Sequence, residues 1–329
     1  MADIRTKYMG LSLRSPIIVG SSGLTNNLEN IQKIEEQGAG AVVLKSLFEE
    51  QIRYESGKSV NESSEYGTIY PEAIDYIEHY SKHHKISYYL DLIKDCKKAV
   101  NIPIIASINC ISPYEWTSFA KEIEKAGADA LELNVFILPS DPQRTSGDIE
   151  KVYFEIIEQL KKKISIPLSL KISYYFSGLA RFVKQLSWTD IKGLVLFNRF
   201  FSPDIDIDNF KVISTNVFSN ADELPISLRW IAMLSDITQC DLSASTGVHD
   251  GTAVVKQLLV GAQTVQVTSV LYKEGFAHLK KMTTFLEEWM EKNNFATIDD
   301  FRGKMCYHST ENPAAYERVQ FMKHFAGIE

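Results

Sequence analysis

The chain has 329 residues, of which 45% are hydrophobic and 23% are charged, a composition typical of a globular protein. Lys and Arg together number 35 against 42 Asp and Glu, so the formal net charge is −7 at pH 7. A chain with this charge has no basic field that could hold a nucleic acid or an anionic membrane, and neither partner is expected.

The N-terminal region contains only a short apolar stretch, 16–19, before polar residues return. It has neither the apolar centre of a signal peptide nor a run of apolar residues long enough to span a bilayer. We therefore expect a cytoplasmic protein with no membrane partner.

Eight short runs rich in apolar and β-branched residues recur along the chain and are bounded by Gly or Pro. The runs are 16–21, 41–46, 103–109, 130–135, 167–173, 193–198, 241–246 and 264–269. They are apolar almost throughout, which is typical of parallel strands that are buried on both faces. Amphipathic stretches long enough for one helix separate most of them, so the sequence predicts eight β-then-α units.

The joints between these units also repeat. Three predicted helices end at a glycine shortly before a strand, at Gly38, Gly127 and Gly261, and glycine is the residue that most often ends a helix. Eight units favour a closed barrel over an open doubly wound sheet, because an open sheet has no reason to stop at eight. We predict an α/β fold, a (β/α)₈ TIM barrel that forms a single domain over 1–329.

Two intervals are too long for one crossover helix, 47–102 and 199–240, and both follow a predicted strand. Long loops in this position usually form lids or substrate walls. The polar stretch 55–65 within the long insertion after strand two fits either such a wall or surface decoration. Residues 277–329 are predicted to hold the last helix and a C-terminal extension.

Polar groups stand at the end of every predicted strand. In chain order they are Ser21, Ser22, Gly23, Lys45, Ser46, Asn109, Asn134, Lys171, Asn198, Ser245, Thr246, Gly247, Thr268 and Ser269. The strand ends of a barrel meet at one rim, where the active sites of such enzymes lie. Because asparagine and lysine are costly to bury without partners, the ring of residues predicts a pocket for a polar ligand.

Lys45 and Lys171 each close an apolar strand, where a cation stays buried unless an anion pairs with it. A flavin ring, which becomes anionic at N1 on reduction, is one such partner for Lys171. The Schiff-base lysine of a barrel aldolase is the alternative. The asparagines after strands three, four and six, Asn109, Asn134 and Asn198, suit a flat heteroaromatic ring better than an aldol intermediate.

The ends of strands seven and eight predict a phosphate site. The segment 245–248 is followed by 249–252, and together they form a short turn and helix start whose backbone N–H groups can surround a phosphate. Hydroxyl and amide groups at 268–269 add further donors. Phosphate sites in barrels commonly lie after these two strands.

Cysteine and histidine suggest no metal or disulfide. The four cysteines are Cys96, Cys110, Cys240 and Cys306. They form no C-x-x-C pair, which argues against a disulfide framework or a zinc site. The pair His83-His84 lies in a Lys- and Tyr-rich stretch without other ligands at metal spacing, so no metal is predicted.

Over 1–305 the sequence resembles the soluble class of dihydroorotate dehydrogenases. The similar segments are Leu11–Gly23, Leu44–Ser46, Glu132–Asn134, Pro167–Lys171, Ser245–Val248 and 261–275. The resemblance implies a non-covalent FMN at the rim and an oxidoreductase of CH–CH bonds. It implies the oxidation of dihydroorotate to orotate, a step of pyrimidine biosynthesis, or of a related substrate by hydride transfer to flavin N5. It also implies a homodimer.

The same resemblance assigns roles to individual residues. It places Lys45, Asn134, Lys171 and Asn198 beside the flavin ring as the catalytic set. It places the turns 246–247 and 268–269 at the phosphate, as the strand pattern does.

The sequence departs from the family pattern where the substrate should bind. The family base, a Cys or Ser three residues after the strand-four asparagine, corresponds to Ile137, which cannot accept a proton. The family segment that holds orotate has no counterpart in 66–72. The rim side chains that could replace the base are Ser140, Asp141, Cys110, Tyr70 and His249. An FMN oxidoreductase acting on a different ring or enone, and a flavin-binding protein without turnover, are therefore alternatives.

Overall fold

The structure is a computed structural model and describes residues 2–55, 63–64, 67–68, 86–113, 115–199 and 202–317. The pair His83-His84, the candidate base Tyr70 and most of 66–72 lie outside these residues.

An antiparallel hairpin, β1 (Thr6–Tyr8) and β2 (Leu11–Leu13), begins the fold. Tyr8 is fully buried and clusters with Ile18, Ala41 and Ala130 from three different strands of the barrel. The backbone N–H of Met9 donates to Asp241 Oδ2 at 2.7 Å. The hairpin therefore fills the end of the barrel where the strands begin.

Eight parallel strands form the closed barrel. They are β3 (Ile17–Val19), β4 (Ala41–Val43), β8 (Ile104–Cys110), β9 (Ala130–Val135), β10 (Leu168–Ile172), β11 (Gly193–Leu196), β14 (Asp241–Ser245) and β15 (Thr264–Val267). Each strand pairs with the next in this order, and β15 pairs with β3 to close the ring. Seven of the eight predicted runs contain one of these strands, and β8 extends one residue past the predicted run 103–109. The predicted (β/α)₈ barrel is confirmed.

The remaining described strands are short pairs outside the ring or at its edge. They are β5 (Leu47–Phe48), β6 (Ser63–Ser64), β7 (Gly67–Thr68), β12 (Ser202–Asp206) and β13 (Lys211–Thr215). β12 and β13 form an antiparallel hairpin within the long interval after strand six. Its tip is apolar and exposed: Ile207 and Phe210 have 76% and 91% of their surface accessible.

The helices lie outside the ring. They are α1 (Leu28–Glu36), α2 (Glu49–Glu55), α3 (Ile86–Ala99), α4 (Phe119–Ala126), α5 (Ser146–Lys161), α6 (Leu179–Ser187), α7 (Leu224–Leu234), α8 (Gly251–Leu259), α9 (Ser269–Glu274), α10 (Ala277–Lys292) and α11 (Ala314–Glu317). Short 3₁₀ turns occur at Gly23–Thr25, Glu115–Ser118, Ala221–Glu223 and Ile298–Asp300. The predicted last helix begins at Ala277 as expected, with α9 preceding it.

Local sequence explains where these helices stop. Gly127 caps α4 with φ 99°, a left-handed conformation that glycine adopts without a steric cost. Gly38 and Gly261 also have positive φ at the two other predicted joints. Each apolar helix face packs on the ring, as at Phe182, Val183 and Leu186 of α6. Strands are thus buried on both faces, which is why their sequences read as continuous apolar runs.

No helix within the described ranges is long and apolar enough to cross a membrane. The cytoplasmic location stays a prediction.

Candidate active site

Three polar residues stand side by side where neighbouring strands end. Asn109 of β8 pairs in register with Asn134 of β9, which pairs in turn with Lys171 of β10. Since side chains alternate between the two faces of a strand, residues at the same register point the same way. Two residues earlier on the same three strands stand Ser107, Glu132 and Ser169, which are also polar and also pair in register. The barrel mouth therefore has two polar layers on this side.

Lys171 makes a contact that crosses the barrel interior. Its ammonium Nζ donates to Gln266 Oε1 at 2.9 Å, and Gln266 Nε2 donates to Glu132 Oε2 at 2.5 Å. Gln266 belongs to β15, which is separated from β10 by β11 and β14 around the ring. Glu132, Gln266 and Lys171 form a connected polar chain, which we call the interior chain.

Burial perturbs both ionisable ends of the interior chain. Burial raises the pKa of the Glu132 carboxyl, while Lys171 and the hydrogen bond from Gln266 oppose the change. Burial lowers the pKa of the Lys171 ammonium, while Glu132 opposes it. Each charge is therefore maintained partly by the other.

A chain of hydroxyl groups joins the first three strand ends. Ser46 Oγ lies 3.0 Å from Ser21 Oγ and 2.8 Å from Ser107 Oγ, and the Ser46 N–H donates to Ser21 Oγ at 2.9 Å. The Ser107 N–H in turn donates to the Tyr89 hydroxyl at 2.7 Å. These contacts hold the ends of β3, β4 and β8 together beside the mouth.

A cavity of about 230 Å³ opens where strands seven, eight and one end. It is lined by Ser21, Lys171, Asn198, Arg199, Val217, Ser219, Ser245, Thr246, Gly247, Val248, Gln266, Thr268 and Ser269. The predicted phosphate turn and the predicted ring-side lysine therefore face one space. We call it the rim cavity.

Tight backbone packing shapes the rim cavity. Thr246 and Gly247 have φ values of 76° and 78°, and a Cβ on Gly247 would lie 2.2 Å from the backbone nitrogen of Leu224. A Cβ on Gly20 would lie 2.8 Å from Thr268 Oγ1. The turn at 246–247 therefore packs directly on the start of α7, which fixes its position at the edge of the rim cavity.

Cationic side chains flank the end of the rim cavity where the sequence predicts a phosphate. Arg199 pairs with Glu223 at 2.9 Å and donates to Val217 O at 3.1 Å. Lys273 Nζ donates to Ser219 O at 3.2 Å. These contacts anchor the loop that carries Val217 and Ser219 over the cavity.

A second cavity of about 240 Å³ adjoins the first and has aromatic walls. It shares Asn198, Arg199, Ser245 and Thr246 with the rim cavity, and it adds Tyr174, Tyr175 and Phe197. The Tyr174 ring lies 4.7 Å from that of Tyr175 and 5.6 Å from that of Phe197. An aromatic pocket therefore opens beside the polar one.

Several predicted site residues lie elsewhere on the rim. The Ser22 hydroxyl accepts from the Leu24 N–H at 3.2 Å and caps the first 3₁₀ turn, and Gly23 packs near Tyr272. Lys45 is half-buried just beyond β4, near Ser46. Neither these nor the two asparagines of β8 and β9 line the rim cavity.

Asn134 carries a sign of ligand binding. Its Oδ1 atom is buried and accepts no hydrogen bond within the described structure. Most buried polar atoms in proteins have a partner. Asn134 stands beside Lys171 in register, so a ligand reaching past the lysine would meet this oxygen.

The candidate bases differ in their surroundings. Ile137 is 5% exposed and packs in the core, whereas Ser140 and Asp141 are exposed on the loop that follows. Cys110 is 1% exposed, and burial raises the pKa of its thiol well above its usual value. His249 contacts Ser219 Oγ at 2.9 Å at the phosphate end, and burial lowers its pKa.

Sequence reasoning missed Glu132 and Gln266, although a signal for both was present. Each is a polar residue inside an otherwise apolar strand, two positions before a predicted rim residue. Alternation along a strand places them on the same face as Asn134 and Thr268. It missed Arg199, Val217 and Ser219 because they follow strand six on a loop whose path is not encoded in a short pattern.

Comparison with known proteins identifies the chain's relatives. The family model for dihydroorotate dehydrogenase matches residues 3–290. The catalytic subunit of dihydroorotate dehydrogenase B (NAD(+)) from Thermoplasma volcanium is 25% identical, over 92% of this chain and 98% of that protein. Chloroplastic dihydropyrimidine dehydrogenase (NADP(+)) from Arabidopsis thaliana is 21% identical, over 96% of this chain and 80% of that protein.

A third relative is more partial. Dihydroorotate dehydrogenase A (fumarate) from Lactobacillus delbrueckii subsp. bulgaricus is 25% identical, over 64% of this chain and 69% of that protein. All three relatives are named as oxidoreductases, which favours a redox role for the pocket beside Lys171 over the aldolase alternative.

Proposed function

The chain belongs to the dihydroorotate dehydrogenase family, and we propose that it is an FMN-dependent oxidoreductase acting on a CH–CH bond of dihydroorotate or a related ring compound. The family is one of oxidoreductases, and the observation that carries the proposal is the rim cavity. In it, a turn suited to a phosphate and a lysine suited to a flavin ring face the same space.

The residues present fit a flavin mononucleotide. The turns 246–247 and 268–269 would hold the phosphate, because both line the rim cavity and the packing of Gly247 on the Leu224 backbone fixes the first turn there. Lys171, Asn134 and Asn198 would lie beside the ring. Bound FMN would supply a two-electron acceptor for hydride at N5.

The chain's own side chains would set the polarity of the ring site. Lys171 favours negative charge on the ligand group next to it, because it is a largely buried cation. Asn134 Oδ1 can accept one hydrogen bond from the ligand, and the Asn198 amide adds both a donor and an acceptor. This pattern suits a flat ring with alternating donors and acceptors.

The need for a base distinguishes dihydroorotate from the other candidate substrates, a different ring or an enone. Oxidising dihydroorotate requires removal of a proton from carbon, and Ile137 offers no acceptor at the position of the family base. We therefore propose that any dihydroorotate oxidation by this chain is slow. The aromatic cavity beside Asn198 favours the second candidate, an oxidoreductase for a different ring or enone. The three relatives are named for three different electron acceptors, so the acceptor stays open.

Flavin content is the first test. The purified protein is expected to be yellow, or to become yellow with a flavin absorbance spectrum after incubation with FMN and removal of the excess. Protein that remains colourless after this treatment would contradict the proposal.

Anaerobic reduction of the bound flavin is the second test. The flavin absorbance is followed after mixing with dihydroorotate, with dihydrouracil, or with a chemical reductant that reports full reduction. Slow bleaching by dihydroorotate is expected. Fast bleaching by dihydrouracil or another ring compound would identify the second candidate, and bleaching by the chemical reductant alone would favour a flavin-binding protein without turnover.

The homodimer is also a proposal, carried over from the resemblance to the soluble class. Light scattering at micromolar concentration is expected to give twice the mass of the chain. A monomer, or a complex with an iron–sulfur protein isolated from the source organism, would contradict it.

A further inference from the structure

Beneath the proposed flavin site lies a buried carboxylate, Glu132, to which the proposed function gives no role. Glu132 is 1% exposed and sits one polar layer below Asn134 on the same strand. A buried carboxylate is costly unless it is hydrogen-bonded or paired with a cation. One of its oxygens is bonded to Gln266, and the other, Oε1, is buried without a hydrogen-bond partner in the described structure.

The Gln266 amide can satisfy its two neighbours in only one orientation. Its NH₂ group must face the Glu132 carboxylate, at 2.5 Å, because an ionised carboxylate only accepts hydrogen bonds. Its carbonyl then faces the Lys171 ammonium, at 2.9 Å, because an ammonium only donates. Glu132 thus determines which end of the amide Lys171 meets.

Lys171 is the cation that faces this carboxylate. The other titratable groups that act on Glu132 are the phenols of Tyr8, from the hairpin beneath the barrel, and Tyr89, from α3 outside it. Burial raises the pKa of both phenols, so both remain neutral near neutral pH. The charge on Glu132 therefore bears mainly on Lys171.

We propose that Glu132 is a positioning residue of the flavin site: through the Gln266 amide it orients the Lys171 ammonium toward the barrel mouth and keeps it charged there. This inference rests on the proposed function, because the proposed flavin is the ligand that Lys171 would contact. The interior chain consists of the protein's own side chains, however, so it can be tested separately from flavin binding.

The charge on Lys171 can be measured in FMN-free protein. Trace acetylation with acetic anhydride modifies only the uncharged amine, and mass spectrometry gives the extent at Lys171 as a function of pH. Glu132→Gln keeps the size of the side chain and removes its charge. We expect the midpoint of the Lys171 profile to fall by about one to three pH units, the effect typical of losing an adjacent opposite charge.

Glu122→Gln is the matched control. Glu122 is a half-exposed residue of α4 whose partner is Lys125, outside the barrel. The Glu122→Gln substitution removes one glutamate charge without changing the interior chain, so the midpoint of the Lys171 acetylation profile is expected to stay at the wild-type value. Gln266→Met breaks the bridge from the other side and is expected to lower the midpoint in the same direction, which keeps the test available if Glu132→Gln does not fold.

The loaded protein gives an independent readout. In the presence of FMN, Glu132→Gln is expected to move the pH dependence of the flavin reduction potential to lower pH. The same substitution in a Lys171→Met background is expected to leave that pH dependence unchanged, because the residue through which Glu132 acts is gone.

The two proposals fail in distinguishable ways. A Lys171 midpoint that is unchanged in folded Glu132→Gln and Gln266→Met protein overturns the positioning role, while FMN binding by the same proteins would leave the proposed function standing. A shifted midpoint in a protein that never binds FMN supports the interior chain and contradicts the flavin site.

Discussion

The two halves of the barrel rim are built in different ways. The half where we propose a phosphate site, at the ends of β14, β15 and β3, consists of short turns in which a Cβ on Gly247 would meet the Leu224 backbone and a Cβ on Gly20 would meet the Thr268 side chain. The substrate half, at the ends of β4, β8 and β9, carries the long insertion and the loop that contains Ile137. Backbone geometry defines the first half, whereas individual side chains define the second. If the proposed sites are right, this chain keeps the family's cofactor site while the position of the family base holds an isoleucine.

Ile137→Cys tests the substrate half and carries the largest expected effect. Placing a thiol at the position of the family base should raise turnover of dihydroorotate by about 10²- to 10⁴-fold, the usual contribution of a general base. The measurement is the rate of anaerobic flavin reduction as a function of pH.

Ile137→Ala serves as the control, because it opens similar space in the packed loop without adding a base. A wild type that already reacts quickly, is not improved by Ile137→Cys and is abolished by Ser140→Ala would show that a replacement base exists.

Lys171→Met tests the junction of the two halves. Removing the cation that we propose lies beside the ring should slow flavin reduction by about 10²- to 10³-fold, as the loss of one preorganised charge stabiliser does elsewhere. Stopped-flow reduction of the bound flavin measures the rate, and chemical denaturation measures the unfolding free energy.

The pH dependence of stability should change in the same variant. Burial raises the folded-state pKa of Glu132 above its usual value of 4.5. The protonated carboxyl therefore contributes to the unfolding free energy below pH 4.5, and this contribution is lost as the pH rises through the folded-state pKa. In the wild type, Lys171 offsets part of the effect of burial on the Glu132 pKa. Without Lys171 this pKa should rise further, so the unfolding free energy of Lys171→Met should fall more than that of wild type between about pH 5 and pH 8. Equal loss in the two proteins would show that Lys171 does not sustain the charge on Glu132.

Gly247→Ala tests the phosphate half. The added Cβ would meet Leu224 at 2.2 Å in a turn with φ 78°, so FMN affinity should fall by about 100-fold, or about 2.8 kcal/mol. Fluorescence titration with FMN measures the affinity.

Gly10→Ala is the matched control at the opposite end of the barrel. Its φ is 79°, nearly that of Gly247, but a Cβ there meets nothing within 4 Å. It should cost about 1–2 kcal/mol of unfolding free energy from the left-handed backbone alone and leave FMN affinity unchanged. Wild-type affinity in Gly247→Ala would mean that this turn is not the phosphate cradle.

Asp241→Asn, at the start of the strand whose other end carries Thr246, gives the smallest expected effect. Burial raises the pKa of Asp241 above its usual value of 3.8, and the hydrogen bond from the Met9 N–H opposes this shift. The protonated Asp241 carboxyl therefore contributes to stability below pH 3.8, and this contribution is lost as the pH rises. The stability of the variant relative to wild type should therefore be slightly greater at neutral pH than near pH 4, because the variant has no carboxyl to ionise. Denaturation at both pH values checks this, and a change in FMN affinity would be unexpected so far from the rim.

The features that the sequence determined by itself are local. The eight apolar runs, the glycine joints such as Gly127 and the turn 245–247 each depend on the conformational preferences of a few consecutive residues. Those preferences act over one strand or one helix end, so a pattern in the sequence reports them directly. The departure at Ile137 rests on the resemblance and on its spacing after Asn134, and it stays a prediction.

Only the tertiary structure decided which inward-facing residues meet. Lys171 and Gln266 are 95 residues apart, and Gln266 and Glu132 are 134 apart, on strands that are not neighbours in the ring. Alternation along a strand shows that such residues face inward, but the partner across the interior depends on how the strands tilt and stagger when the barrel closes. The interior chain is therefore a property of the closed ring, because closure alone brings the carboxylate, the amide and the ammonium within hydrogen-bonding distance.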